Sequence, residues 1–107
     1  MLDYSLCDRT VTLYRRVSDT VARRVLEGCF YRYEDRVTED RFVRTFLLIH
    51  PGSEEICPGD RVFDGVGPET VNWEAFLPVQ IPGLSQVAYA APWYWDGKIA
   101  HWEAGRK

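Results

Sequence analysis

The sequence has no apolar run long enough to cross a membrane. Runs such as FLLI at residues 46–49 are far too short, since a spanning helix needs about twenty residues. Residues 1–10 lack a basic region followed by an apolar core, so no secretory leader is expected. Cysteines are few and odd in number: Cys7, Cys29 and Cys57 lie far apart, with no CxxC pair. That excludes a disulfide framework as the expected staple and fits a reducing compartment, so a cytoplasm is the expected place of folding. Only two histidines occur, His50 and His101, in no HxH or HExxH spacing. A zinc site needs three or four convergent ligands, so no metal and no cofactor is expected. Positive charge is not in excess. The net charge is −3, whereas a dedicated nucleic-acid module carries a basic surface. No internal repeat or low-complexity tract is visible.

What is present is an ordinary globular composition with many aromatics. Apolar residues make up 46% and aromatics 14%, which fits strands carrying Tyr, Phe and Trp. A chain of 107 residues buries roughly two-thirds of its unfolded surface, enough for one core. One domain over residues 1–107 is expected.

The most informative stretch is residues 87–105, VAYAAPWYWDGKIAHWEAG. It holds three of the four tryptophans and an Asp96-Gly97 pair between two strand-like runs. Asp-Gly flanked by alternating residues predicts a type I′ hairpin, whose two central residues both need positive φ. A two-residue loop would set Trp95 opposite Lys98, Trp93 opposite Ala100 and Ala91 opposite Trp102. One packed face would then carry Tyr89, Ala91, Trp93, Trp95, Ala100, Trp102 and Ala104.

Upstream, residues 1–10 read as an extended arm, with room for one helical turn. Residues 10–16 (TVTLYRR) alternate and predict a strand. Ser18-Asp19 is turn chemistry. Residues 20–27 have some helical spacing, but the run continues into aromatic, alternating 25–34 (VLEGCFYRYE), so strand is preferred, with a bulge or bend at Gly28. Charged residues 35–40 (DRVTED) read as a loop. Residues 41–50 (RFVRTFLLIH) are the clearest strand, and they turn continuously apolar as a strand does on entering a covered core. Gly and Pro are dense over 51–70, a long loop interrupted by a short strand at Arg61–Phe63. Ile56 is the one apolar residue of the polar connection 53–58. Residues around Trp73 predict a single turn or another short strand. The fold class expected is mainly β, a small antiparallel barrel or sandwich of about six short strands with long loops and a C-terminal hairpin.

No constellation supports catalysis. Cys57 follows Glu54 and Glu55, whose charges disfavour a thiolate. The serines lie in no nucleophile elbow. The carboxylate pairs Glu39-Asp40 and Glu54-Glu55 fall in loops, where solvated charge is the simpler reading. Arginines 15, 16, 23, 24, 32, 36, 41 and 44 concentrate in the first half and would project outward from strands. They could form a basic strip for phosphate or acidic neighbours. Solvated strand edges that resist aggregation are the preferred reading. Trp93, Tyr94 and Trp95 sit beside the hairpin turn; a core role is the default for two of the three, and exposed aromatics at a tip are contact residues.

Three segments carry a resemblance. HWEAG at 101–105, PGDRVFDG at 58–65, and TVTLYRR followed by VLEGCFY are similar to a group of small minor structural proteins of phages and prophages. The likeness spans most of the chain, in short motifs. It implies a virion protein of the head–tail connector type, a stopper or head-completion subunit that forms a ring, closes the head or joins it to the tail. Implied partners are further copies of itself, portal or adaptor and tail proteins, and genomic DNA passing through the channel without specific binding. The implied location is the virion neck, assembled in the bacterial host cytoplasm, with no membrane, no enzyme activity and no catalytic residue. The chain departs from the group in a shorter segment after PGD and in its Trp-Tyr-Trp before HWE. The resemblance therefore does not itself imply a tight turn at Asp96-Gly97. The candidate partner contacts are Trp93, Tyr94 and Trp95, with Ile56, while Trp102 belongs to the closing core strand. The alternative is a small β-barrel binding module for single-stranded nucleic acid, using arginines and exposed tryptophans as a stacking platform.

Overall fold

A computed structural model describes residues 4–107. Seven antiparallel strands, and no helix among the described residues, make one curved sheet in the order β5-β4-β1-β2-β3-β7-β6. The strands are β1 (Arg9–Val17), β2 (Thr20–Thr38), β3 (Arg41–Pro51), β4 (Arg61–Asp64), β5 (Leu84–Gln86), β6 (Tyr89–Trp95) and β7 (Lys98–Arg106). The fold is mainly β, in the manner of a small barrel or sandwich. The first three residues of the arm read at 1–10 lie outside the described residues.

β2 is the spine. Over 19 residues it pairs first with β1, up to Cys29, and then with β3, from Phe30. The change of partner falls at Gly28, with φ +70 and a register shift against Arg9 and Val11. A bulge bends a strand, and here it turns one long strand into a member of both halves of the sheet. Apolar side chains from both halves meet inside: Val11 and Leu13 of β1, Leu26 and Tyr31 of β2, Phe46 and Leu48 of β3, Val62 of β4, and Trp102 and Ala104 of β7. Side chains then draw β5 against β2 and β3. The Tyr31 hydroxyl bonds Ser85 Oγ at 2.6 Å and donates to the Gly83 carbonyl, and Arg44 donates to the Leu84 carbonyl at 2.6 Å.

β1 is covered on both sides. Its other face carries Thr12 and Tyr14, which hold the segment 65–68 by hydrogen bonds to Gly65, Gly67 and Pro68. Phe76 and Leu84 complete a second small core there with Tyr14. The residues around Trp73 form a single turn, closed by the Phe76 N–H onto the Asn72 carbonyl.

Several expectations are corrected. Residues 35–38 are strand, not loop, because β2 continues its ladder with β3 to Thr38↔Arg41; only Glu39 and Asp40 turn, both at positive φ. Arg44 does not project outward but is buried, and Arg61 is buried as well. Arg44 lies bidentate on Asp35. Arg61 donates to the Trp73 and Phe76 carbonyls, with its guanidinium 3.7 Å from the Trp73 ring centroid. Ile56 is 1% exposed and packs in the main core, so it cannot be a partner contact. A lone apolar residue in a polar connection is a plug, because burying it stabilises the loop that carries it.

Gly105 shows why the closing strand ends as it does. A Cβ there would lie 2.5 Å from the Phe46 carbonyl oxygen and 2.7 Å from Tyr89 Oη. Both neighbouring strands press on that position. Gly105→Ala is expected to destabilise the chain by about 1–3 kcal/mol, as overpacking does, read as a lower denaturation midpoint at unchanged slope.

Candidate interaction surface

The C-terminal hairpin turns at Asp96-Gly97 with φ +55 and +76, the two positive values of a type I′ loop, and Trp95 pairs with Lys98. The register slips between Trp93 and Tyr94, so Trp93 faces His101 rather than Ala100, and Pro92 rather than Ala91 faces Trp102. The expected packed face is therefore wrong. Ala90, Pro92, Trp102 and Ala104 share pairing rows with Leu48 and His50 and belong to the core side. Tyr89, Ala91, Trp93, His101 and Glu103 share the outer rows. The extra residue, Ala100, lets Trp102 turn inward while the tip tryptophans stay outside.

Those tip residues are accessible: Trp93 is 53% exposed, Tyr94 64% and Trp95 53%. Trp93 stacks on His101 with the rings 17° from parallel. Tyr4 meets the same imidazole edge-on, its hydroxyl 2.7 Å from Nδ1. This stack stiffens the root of the tip and leaves Tyr94 and Trp95 as its outermost aromatics. The segment containing Tyr4, Leu6 and Cys7 lies over Phe30, Leu47 and Ile49, bounding a groove of about 340 Å³.

The cysteine and histidine that do meet form no activated pair. Cys29 Sγ is 3.4 Å from His50 Nδ1, both buried. Burial pushes the Cys29 thiol up to about 12 and pulls His50 below its ordinary value. A nucleophilic cysteine needs the opposite shift. Among the described residues no three His, Cys, Asp or Glu side chains converge as a metal site requires.

Burial also lowers His101. Both histidines bind protons more readily unfolded than folded. Their neutral forms thus support stability above about pH 6.5, and that support is lost as pH falls from there through the depressed folded values. The urea midpoint is expected to drop between neutral and mildly acidic pH, and to drop less in a His50→Gln chain. A midpoint that rises with acidification would contradict the assignment.

The arginines do not make a continuous basic strip. Arg15 is bidentate on Asp60, Arg16 lies 3.5 Å from Glu74, Arg24 lies 3.0 Å from Glu54, and Arg44 is on Asp35. Arg23 donates to the Gly67 and Pro68 carbonyls. Arg32, Arg36 and Arg41 remain without an ion pair among the described residues, along the β2–β3 ribbon that runs beyond the core.

The PGD segment is structural. Asp60 is buried, accepts Arg15 at 2.8 and 2.9 Å, and also accepts the Cys57 N–H. The Asp60 carbonyl receives the Val87 N–H and the Val87 carbonyl receives the Gly59 N–H. The motif clamps the loop of residues 52–60 to the chain between β5 and β6.

A second exposed feature escaped the sequence reading. A groove of about 310 Å³ opens beside the start of β3 and is lined by Phe42, Leu77, Pro78 and Val79, with Arg41 and Arg106 at its margin. Its one local signal is Val79, apolar, 61% exposed and set between Pro78 and Pro82. Compared with protein-family models, curated proteins and solved structures, the chain matches none.

Proposed function

We infer that the protein is a structural subunit of a tailed phage or prophage: a ring-forming head–tail connector of the stopper or head-completion type, which closes the head or joins it to the tail. Its partners are further copies of itself, the portal or adaptor proteins and tail proteins of the same particle, and it works in the virion neck after assembly in the host cytoplasm. Genomic DNA passes without specific binding, and the protein has no membrane role and is not an enzyme. The observation that carries this reading is the exposed Trp93-Tyr94-Trp95 tip, held on a rigid hairpin by the Trp93–His101 stack. Aromatics desolvated at the centre of an interface supply much of its binding energy, and a subunit that only assembles needs such anchors rather than a reactive site. The motifs behind the resemblance, PGDRVFDG and HWEAG, build the fold through Asp60, Arg61, Trp102 and Gly105. A likeness in them is therefore a likeness of scaffold. The net charge of −3 suits a passage that DNA must cross without sticking.

The test is composition of the particle. Head, portal and tail genes are expressed with this one and DNA-filled particles are purified. The chain is expected at a fixed, small copy number per particle, and deleting its gene is expected to leave heads that leak DNA or lack tails. Complete, infectious particles without the chain would sink the reading. The single-stranded nucleic-acid module has the exposed tryptophans in its favour. Its arginines, however, are largely paired within the chain. Oligonucleotide affinity falling steeply with salt would replace the connector reading.

A further inference from the structure

The hairpin tip and the β3 groove are complementary, and they lie at opposite ends of one strand. The tip adjoins Lys98, where β7 begins; the groove reaches Arg106, where β7 ends. Eight residue steps of a strand separate those points by about 27 Å, so one subunit cannot seat its own tip in its own groove. The tip presents Trp95 and Tyr94 with the Asp96 carboxylate at its extremity. The groove presents Phe42, Leu77, Pro78 and Val79 as an apolar floor, and of its three arginines Arg44 is held by Asp35, which leaves Arg41 and Arg106. Arg106 is steadied by its Nε donating to the Gln86 carbonyl, and neither Arg41 nor Arg106 has an ion pair among the described residues. Beyond Phe46↔Arg106 β7 gives β3 no further partner, so the first residues of β3 pair with β2 alone. That leaves open the side on which the groove lies.

We propose that the groove beside β3 receives the hairpin tip of a second copy of this chain, Trp95 entering the apolar floor and Asp96 lying between Arg41 and Arg106. The contact joins unlike surfaces, so it propagates head to tail and closes into a ring when its rotation permits. The volume of about 310 Å³ is large enough to admit one large aromatic side chain. Lys98 follows the turn directly and pairs with Trp95, so its side chain leaves the same face of the hairpin and accompanies Trp95 to the groove. This inference deepens the connector reading and rests on it.

The test uses two variants of the full chain, each with one surface removed. Trp95→Ala keeps the groove; Val79→Glu keeps the tip. Both positions are exposed, so circular dichroism and the denaturation midpoint should match the wild type. Sedimentation velocity and native mass spectrometry are expected to show the wild type as a ring, and each variant alone with association weakened at least tenfold, the loss of one anchor residue. The two variants mixed are expected to form a one-to-one dimer that grows no further, because only one productive tip and one productive groove remain. Asp96→Asn, which keeps the turn, should weaken the wild-type contact and flatten its salt dependence. Rings from either variant alone would overturn this interface and leave the connector reading standing. A mixture that stays monomeric would overturn it as well. A wild-type chain that never self-associates yet enters particles sinks the interface alone; one that does neither sinks both.

Discussion

Asp60→Ala is expected to cost about 3–5 kcal/mol, the scale for breaking a buried ion pair by removing one partner. Arg15 would lose both of its bonds to the carboxylate and keep the Glu55 carbonyl at 3.0 Å and the Glu55 carboxylate at 3.9 Å. The Cys57 N–H would lose its acceptor as well. A side chain that is 2% exposed cannot be replaced by water without opening the loop. Asp60→Asn keeps the shape and removes the charge, so it should recover part of the loss. The double variant Arg15→Met with Asp60→Leu should recover more, since paired apolar replacement of a buried ion pair is often neutral or better. Urea denaturation of the four chains checks this. An Asp60→Ala midpoint within error of the wild type would show that the loop holds without its clamp.

Trp102→Ala is the second large effect, about 3–5 kcal/mol for emptying a core aromatic site. Trp102 lies between Pro92 and His50 in a row across three strands, on the core side. Its truncation would leave a cavity where β6, β7 and β3 meet. Its indole Nε1 is buried without a hydrogen-bond partner. Trp102→Phe therefore removes an unsatisfied donor along with some volume, and is expected to cost less than about 1.5 kcal/mol. If the phenylalanine chain is as unstable as the alanine chain, the indole N–H has a partner in solution. Trp93→Ala, by contrast, removes only the stack on His101 and should leave the fold nearly intact.

The contrast between Trp102 and Trp93 marks the limit of sequence reading here. Most strands and turns were legible because they are local, the end of β2 at residues 35–38 and the short β5 excepted. Asp96-Gly97 and Ser18-Asp19 declare their turns, the runs about Thr12 and Tyr31 carry period-two patterns, and that about Leu48 is continuously apolar. The hairpin faces were not legible. A single extra residue at Ala100 inverts every side chain beyond it, and the bulge is chosen by what packs across the core rather than by residues 98–101 themselves. Ile56 had no periodic neighbours to betray its burial. The burial of Arg44 runs against its place in a charged run because a long-range carbonyl, at Leu84, receives it, as the Trp73 and Phe76 carbonyls receive Arg61. The exposed Trp93-Tyr94-Trp95 tip was only half legible: its place beside the turn marked it as a contact, while the alternation set Trp93 and Trp95 on a packed face. The groove was not legible, because its walls come from β3 and from residues 77–79, which only the closed sheet brings together.

The order of strands in the sheet also sets a timetable. β1, β2 and β3 follow one another in the chain and pair as neighbours, so their meander can zip as soon as residue 51 has been made. β3 must then wait for β7, about fifty residues later, before its far edge is covered. Distant pairing of this kind folds slowly and exposes strand edges in the interval. During synthesis the nascent chain therefore spends its second half with Leu48 and Phe46 on an unfinished sheet. The terminal hairpin, made last of the seven strands, both seals that sheet and delivers the aromatic tip. A growing chain has nothing to offer a neighbour until its own core is complete.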